Sequence, residues 1–169
     1  MTIESTLQDQ QIDFDPRDFR NALGVFVTGV TVVTTLNTSG EPIGLTANSF
    51  SSVSLSPPLV LWSLSLRSPN LSNYLQATHF LVNILSDKQA DISERFARSN
   101  SNKFEGLDYK KSQQGLPQLN GISAYFECRT EARHYSGDHV IFIGQVINYQ
   151  YNGSPTLVYS RGQYKILES

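Results

Sequence analysis

Polar and apolar positions alternate along most of this chain, and that alternation predicts strands. Between residues 122 and 135, Ile122, Ala124, Phe126, Cys128, Thr130, Ala132 and His134 share one face of an extended segment. Ser123, Tyr125, Glu127, Arg129, Glu131, Arg133 and Tyr135 share the other, with charges of alternating sign, the mark of a half-buried strand. Ser136, Gly137 and Asp138 supply turn chemistry, and the β pattern resumes over residues 139–151. After a second turn at Asn152-Gly153-Ser154-Pro155, residues 156–160 and 163–167 read as a last pair of short strands. Upstream, residues 25–35, 43–55, 59–66 and 80–85 are strand candidates, with a turn at Asn37-Thr38-Ser39-Gly40.

Three stretches read as helices: residues 16–23, with Asp15 as cap and Pro16 in the first turn, then 69–76 and 87–98. Residues 100–120 form the longest polar, glycine-containing stretch and read as a surface lid. Many short strands with few helices predict a mainly β protein, a barrel in which closure removes the sheet edges. Residues 1–14 read as a flexible tail and 15–169 as one domain, within the usual size of a domain.

Composition narrows the chemistry. Thirteen Lys and Arg against 15 Asp and Glu give a net charge of −2, which argues against nucleic-acid binding by phosphate neutralisation. Cys128 is the single cysteine, so no internal disulfide and no multi-thiolate zinc site can form. No apolar run approaches the roughly 20 residues of a membrane helix, and the N-terminus lacks a secretory pattern. These features predict a cytoplasmic, soluble domain. Residues 24–31 nearly match a phosphate-binding P-loop, but Val30 stands where its lysine belongs. Neither a dinucleotide-binding glycine fingerprint nor a nucleophile elbow occurs, and His79, His134 and His139 lack metal-ligand spacing.

Hydroxyls are concentrated: nine of the 21 serines lie in residues 49–72. Thr46, Asn48 and Ser49 offer short neutral donors and acceptors, and Ala47 leaves room for close approach. Such groups suit a polar heteroaromatic ring with a hydroxylated tail, or else the solvent face of a sheet. Ser63, Ser65, Arg67 and Ser68 lead into a helix, a fit place for a phosphate.

Four segments in order carry a resemblance: residues 45–60, the Phe80-Leu81-Val82-Asn83-Ile84-Leu85 run, the Lys103-Phe104 pair, and residues 137–144. Together they resemble the flavin reductase-like domain family, the reductase components of two-component flavin monooxygenases, over about residues 19–167. The resemblance implies an FMN-binding split barrel, a Greek-key β-barrel that forms a homodimer and holds flavin near the subunit interface. It implies hydride transfer from NADH or NADPH to FMN or FAD, and a partner oxygenase that receives the reduced flavin. By the same resemblance Thr46, Ala47, Asn48 and Ser49 contact the flavin ring and ribityl chain. Ser63, Ser65 and Ser68, with Arg67, surround its phosphate, and Lys103 and Phe104 lie beside it. His139 meets the nicotinamide, and Arg161, Gly162 and Tyr164 belong to the C-terminal stretch that closes over the pyridine nucleotide. The extra C-terminal domain of some regulated relatives is missing, so control through it is not expected. Two other readings stay open: a flavin-binding electron carrier or sensor, and a related barrel for haem, pyridoxal phosphate or no cofactor.

Overall fold

Local chemistry sets where the helices begin. In this computed structural model, which describes residues 13–99 and 102–167, the Asp15 carboxylate accepts from the N–H groups of Arg17 (2.8 Å) and Asp18 (3.3 Å). The first helix, α1, accordingly spans Pro16–Leu23 as the sequence predicts. α2 (Leu71–Gln76) and α3 (Ala90–Ala97) lie inside their expected spans, neither having a side-chain cap. Of the tail expected at residues 1–14, the first twelve lie outside the described residues.

The strands are β1 (Thr28–Gly29), β2 (Thr31–Leu36), β3 (Pro42–Ala47), β4 (Ser51–Leu55), β5 (Pro58–Ser65) and β6 (His79–Ile84). They continue with β7 (Tyr109–Lys111), β8 (Pro117–Leu119), β9 (Ala124–Ser136), β10 (His139–Tyr151), β11 (Val158–Ser160) and β12 (Gln163–Lys165). Seven form one antiparallel sheet in the order β3-β2-β6-β9-β10-β5-β4. β5 and β6 are consecutive in the chain, yet the β9–β10 hairpin lies between them, the crossing of a Greek key. The fold is the mainly β barrel that the sequence predicts.

Two expected strands are broken. Residues 43–55 split at the bend 48–50, where the inward apolar positions change parity from Leu45 and Ala47 to Phe50. β3 pairs with β2 before the bend, and β4 pairs with β5 after it. Residues 25–35 split because β1 pairs with β11, whereas β2 joins the main sheet.

The barrel interior holds Trp62 stacked on Phe142 (4.8 Å between centroids) and edge-on to Tyr74 (5.1 Å) and Phe80 (5.9 Å). α2 plugs one end, and the Tyr74 hydroxyl donates to the Val33 carbonyl at 2.7 Å. A second core lies outside the sheet, where Leu81, Phe96, Leu116, Leu119 and Tyr125 pack together. The stretch expected as a surface lid helps build it: residues 102–119 carry the β7–β8 hairpin and bury Leu116 and Leu119. β9 is therefore buried on both faces over Tyr125–Cys128, not half-buried as its alternation predicts. Fully buried Glu127 accepts from the Ser112 hydroxyl and, at 2.9 Å, from the Gln114 N–H, which fastens this segment down. Cys128 is a small buried hydrophobe, and burial pushes its thiol up to about 12, with the Glu127 charge adding to the rise.

Gly144 faces the interior, where a Cβ would stand 2.4 Å from Phe80 Cζ and 2.8 Å from Cys128 Cβ. Gly144→Ala is expected to destabilise the fold by about 1–3 kcal/mol through overpacking. Thermal unfolding measures this, at roughly 2–4 °C per kcal/mol for a chain of this size. An unchanged melting temperature would show slack around Phe80.

Candidate active site

The residues singled out by sequence gather in three places. The first is the end of β3. The Thr46 hydroxyl donates to the Ser93 carbonyl of α3 (2.6 Å), and Ser93 Oγ in turn meets the Tyr164 hydroxyl of β12 (2.8 Å). Thr46, Ser93 and Tyr164 line a cavity of about 190 Å³ that also touches Asn48 and Tyr159. Asn48 and Tyr159 border a larger cavity too, of about 640 Å³, with Arg20, Phe26, Thr28, Arg161 and Gly162 around it. Ala47 packs its methyl into the barrel interior, and its carbonyl accepts from the Thr31 hydroxyl (2.7 Å).

Arg161 and Gly162 form the two-residue turn of the β11–β12 hairpin, with φ of +50° and +77°. Arg161 is the only non-glycine residue in the left-handed region among the described residues. That conformation costs an arginine about 1–2 kcal/mol. Its N–H donates to the Gly24 carbonyl at 2.7 Å, tying the turn to the end of α1.

The second place is the start of α2. Ser49 Oγ accepts from the Ser63 N–H (2.9 Å) and donates to the Ser63 carbonyl (3.1 Å), joining the bend to β5. Beyond Ser63, Ser65 Oγ accepts from the Arg67 N–H (3.2 Å) and Ser68 Oγ from the Asn70 N–H (3.3 Å). Each of these two hydroxyls uses an acceptor site locally and keeps its proton to donate outward. His139 is paired with Ser65 across the β5–β10 ladder, and its Nδ1 meets Asp138 Oδ1 at 2.7 Å. The hydrogen bond from His139 holds the Asp138 carboxyl below the usual carboxylate range, assisted by the charges of His139 and Arg67. Ser65, Ser68 and Arg67 meet what a phosphate requires: two spare hydroxyl donors beside a guanidinium that forms no ion pair among the described residues.

The third place is separate from both. Lys103 is buried, and its ammonium donates to the carbonyls of Phe96 (2.9 Å) and Gly44 (3.2 Å), with burial lowering its pKa. Phe104 packs edge-on against Phe96 and Tyr109. The structure thus brings Thr46, Asn48, Arg161, Gly162 and Tyr164 around two adjoining cavities. Ser49, Ser63, Ser65, Arg67, Ser68 and His139 gather near the start of α2, while Lys103 and Phe104 stand apart. His139 lines neither of these two cavities. Sequence reasoning missed Arg20, Phe26 and Tyr159. Their meeting depends on β1 pairing with β11, which no local signal announces.

A carboxylate with a depressed pKa stabilises the fold above its ordinary titration range, and the contribution is lost as pH falls through its folded value. Asp138→Asn and wild type should therefore differ in melting temperature near neutrality and converge in acid. A gap that persists in strong acid would show that the Asp138–His139 contact is not its source.

Comparison with known proteins agrees with this architecture. Residues 23–168 match the flavin reductase like domain. The reductase component of a flavin-dependent trigonelline monooxygenase from Acinetobacter baylyi is 47% identical over 148 residues, 88% of this chain and 48% of that protein. An FMN reductase (NADH) of Agrobacterium fabrum is 47% identical over 148 residues, 88% of this chain and 84% of its own length. The solved NADH:FAD oxidoreductase of Streptomyces globisporus, in complex with NAD and FAD fragments, superposes with a TM-score of 0.86 at 34% identity, covering 91% of this chain and 93% of that one. The chain spans about half the length of the first of these relatives. With a match over most of its length and a barrel of the same build, this chain belongs to the flavin reductase like domain family.

Proposed function

We propose that this chain is an NADH-dependent flavin reductase that supplies reduced FMN or FAD to a partner monooxygenase. The observation that carries the reading is the pair of spare hydroxyl donors, Ser65 and Ser68, beside Arg67. The trigonelline relative's name, a monooxygenase reductase component, supports the partner. A flavin, when bound, supplies the acceptor for the hydride of the reduced nicotinamide, so the chain itself has to bind, orient and keep water out. Ser65, Ser68 and Arg67 hold the phosphate, and Ser63 flanks it. Residues 48–50 belong to neither the β2–β3 nor the β4–β5 ladder, so Asn48 and the backbone amides of the bend can donate to the oxygens of the ring. His139 orients the nicotinamide, with Asp138 holding its Nδ1. Lys103 and Phe104 act from behind: Lys103 links the end of α3 to β3 through Phe96 and Gly44, setting the strand that carries Thr46 to Asn48.

We further propose a homodimer. Leu61, Ile143 and Ala132 are register partners, as are Ser63, Ile141 and His134, so they share the face of the sheet opposite Trp62 and Phe142. Val53 and Leu55 are exposed nearby on β4, Leu55 at 94%. A second copy covering this face would bring His139, which lies on it, to the seam. Among the described residues no helix is long and apolar enough to cross a membrane, and we assign the protein to the cytoplasm, where NADH is regenerated.

NADH absorbance should fall rapidly when the protein is mixed with NADH and FMN, at a rate that saturates in flavin. Flavin binding without NADH oxidation would instead indicate a carrier or sensor. Ser65→Ala combined with Ser68→Ala should weaken flavin binding about tenfold or more, since hydrogen bonds to a charged group are worth about 1.5–3 kcal/mol each. Unchanged flavin affinity in a fluorescence titration would remove the phosphate from this turn.

Ile143→Glu should convert the dimer to a monomer by light scattering. A wild type that is already monomeric would refute the proposed face.

A further inference from the structure

A buried lysine ordinarily has a carboxylate beside it, and Lys103 has none. It is 8% exposed, and its ammonium donates to two neutral carbonyls, those of Gly44 and Phe96. An ammonium carries three protons, so one donor and the whole charge remain unanswered. Among the described residues the ion pairs are Arg129–Glu131 and Asp138–His139. Burial without a counter-charge accordingly lowers the lysine's pKa.

Lys103 lines a cavity of about 630 Å³ that none of Ser65, Arg67, Ser68, His139 and Arg161 lines. Glu41 and Glu105, both exposed, set two carboxylates around the same space, and Phe104 with Ile43 gives it an apolar wall. The wall is braced. Arg95 Nε donates to the Lys103 carbonyl (2.6 Å), and its guanidinium also bonds the Glu105 carbonyl. Phe104 rests edge-on against Phe96, and Gly44 leaves it room, since a Cβ there would stand 3.2 Å from Phe104 Cζ.

The charges select the ligand. One cation and two carboxylates line the cavity, so a phosphate or nucleotide meets net repulsion. A simple cation would leave Lys103 unanswered. A molecule with a carboxylate at one end and an ammonium at the other satisfies both, and the ring of Phe104 offers a partner to an aromatic group. We propose that this cavity binds a small zwitterion of the aromatic amino-acid class, its carboxylate on Lys103, its ammonium toward Glu41 and Glu105, and its ring against Phe104. The site goes beyond the reductase reading and stands whether or not the chain reduces flavin.

The test is calorimetric titration of the full chain with L-phenylalanine, phenethylamine and 3-phenylpropionate, which keep one ring and vary the charges. L-phenylalanine is expected to bind most tightly. Phenethylamine, lacking the carboxylate that answers buried Lys103, should bind about tenfold or more weakly. Loss of the ammonium in 3-phenylpropionate should cost only about two- to fivefold, because Glu41 and Glu105 are exposed. Glu41→Gln combined with Glu105→Gln should weaken L-phenylalanine by that smaller factor and leave 3-phenylpropionate unweakened. Glutamine keeps an acceptor for Asn37 Nδ2, which bonds Glu41 at 2.7 Å, so the melting temperature should hold.

No binding of L-phenylalanine, or equal affinity for all three compounds, would overturn the assignment. So would binding that the double variant leaves unchanged, or that FMN displaces, since the ligand would then sit elsewhere or the cavity would belong to the flavin. NADH oxidation with FMN is measured on the same protein. Its absence would sink the reductase reading and leave this site standing.

Discussion

The barrel closes at the bend between β3 and β4, where one hydroxyl fastens the chain to β5. Its seven strands end at β3 on one side and at β4 with β5 on the other, and no ladder joins those ends. Ser49 Oγ spans the gap by bonding both the N–H and the carbonyl of Ser63. The same bend takes residues 48–50 out of both ladders, so closure of the barrel and exposure of backbone donors follow from one local event. A bend without Ser49 would leave the Ser63 N–H and carbonyl without this partner, at a cost of about 1–3 kcal/mol for each group kept from water.

The outer side of the sheet depends on a different use of polar groups. Asn83, fully buried on β6, donates to the Val32 carbonyl (3.0 Å) and accepts from the Leu119 N–H (2.9 Å). Glu127 serves the turn before β8 in the same way, and Lys103 joins α3 to β3. Each is a buried polar side chain within an apolar setting, and each gains its partners from the backbone of a different segment. Polarity in these strands therefore marks where residues 102–119 and α3 attach.

Much of the fold was legible because its signals are local. Asp15 and Pro16 start α1, Asn37 Oδ1 accepts from the Ser39 and Glu41 N–H groups in its turn (both 2.9 Å), and Gly137 turns β9 into β10 with φ of +58°. The breaks at residues 48–50 and at Val30 were not legible, since each follows from a change of partner strand between distant segments. Alternation in β9 was read correctly as strand and wrongly as half-exposed, because period two reports side-chain direction and says nothing of what covers each face. The serine-rich segment was legible as chemistry, whereas the union of Arg20, Phe26 and Arg161 requires the β1–β11 pairing.

Spare hydrogen-bonding capacity separates the polar residues of the candidate site into two groups. Thr46 and Tyr164, beside the smaller cavity, and Lys103, apart from it, direct their functional atoms to partners inside the protein: Ser93 for the first two, Gly44 and Phe96 for the third. Ser65 and Ser68 keep a donor each, and the guanidinium groups of Arg20 and Arg161 have no ion-pair partner among the described residues. Arg20 is exposed and Ser65 and Ser68 are half-buried, so water can serve these groups, whereas Arg161 is held in a strained conformation that costs free energy. Arg161 is the sharpest case, because glycine or asparagine would fit its turn better while serving the β11–β12 hairpin equally well. On the proposed function, what the chain keeps unpaired here is set by what it binds, while the bonds from Lys103 to Gly44 and from Tyr164 through Ser93 to Thr46 hold β3, α3 and β12 together.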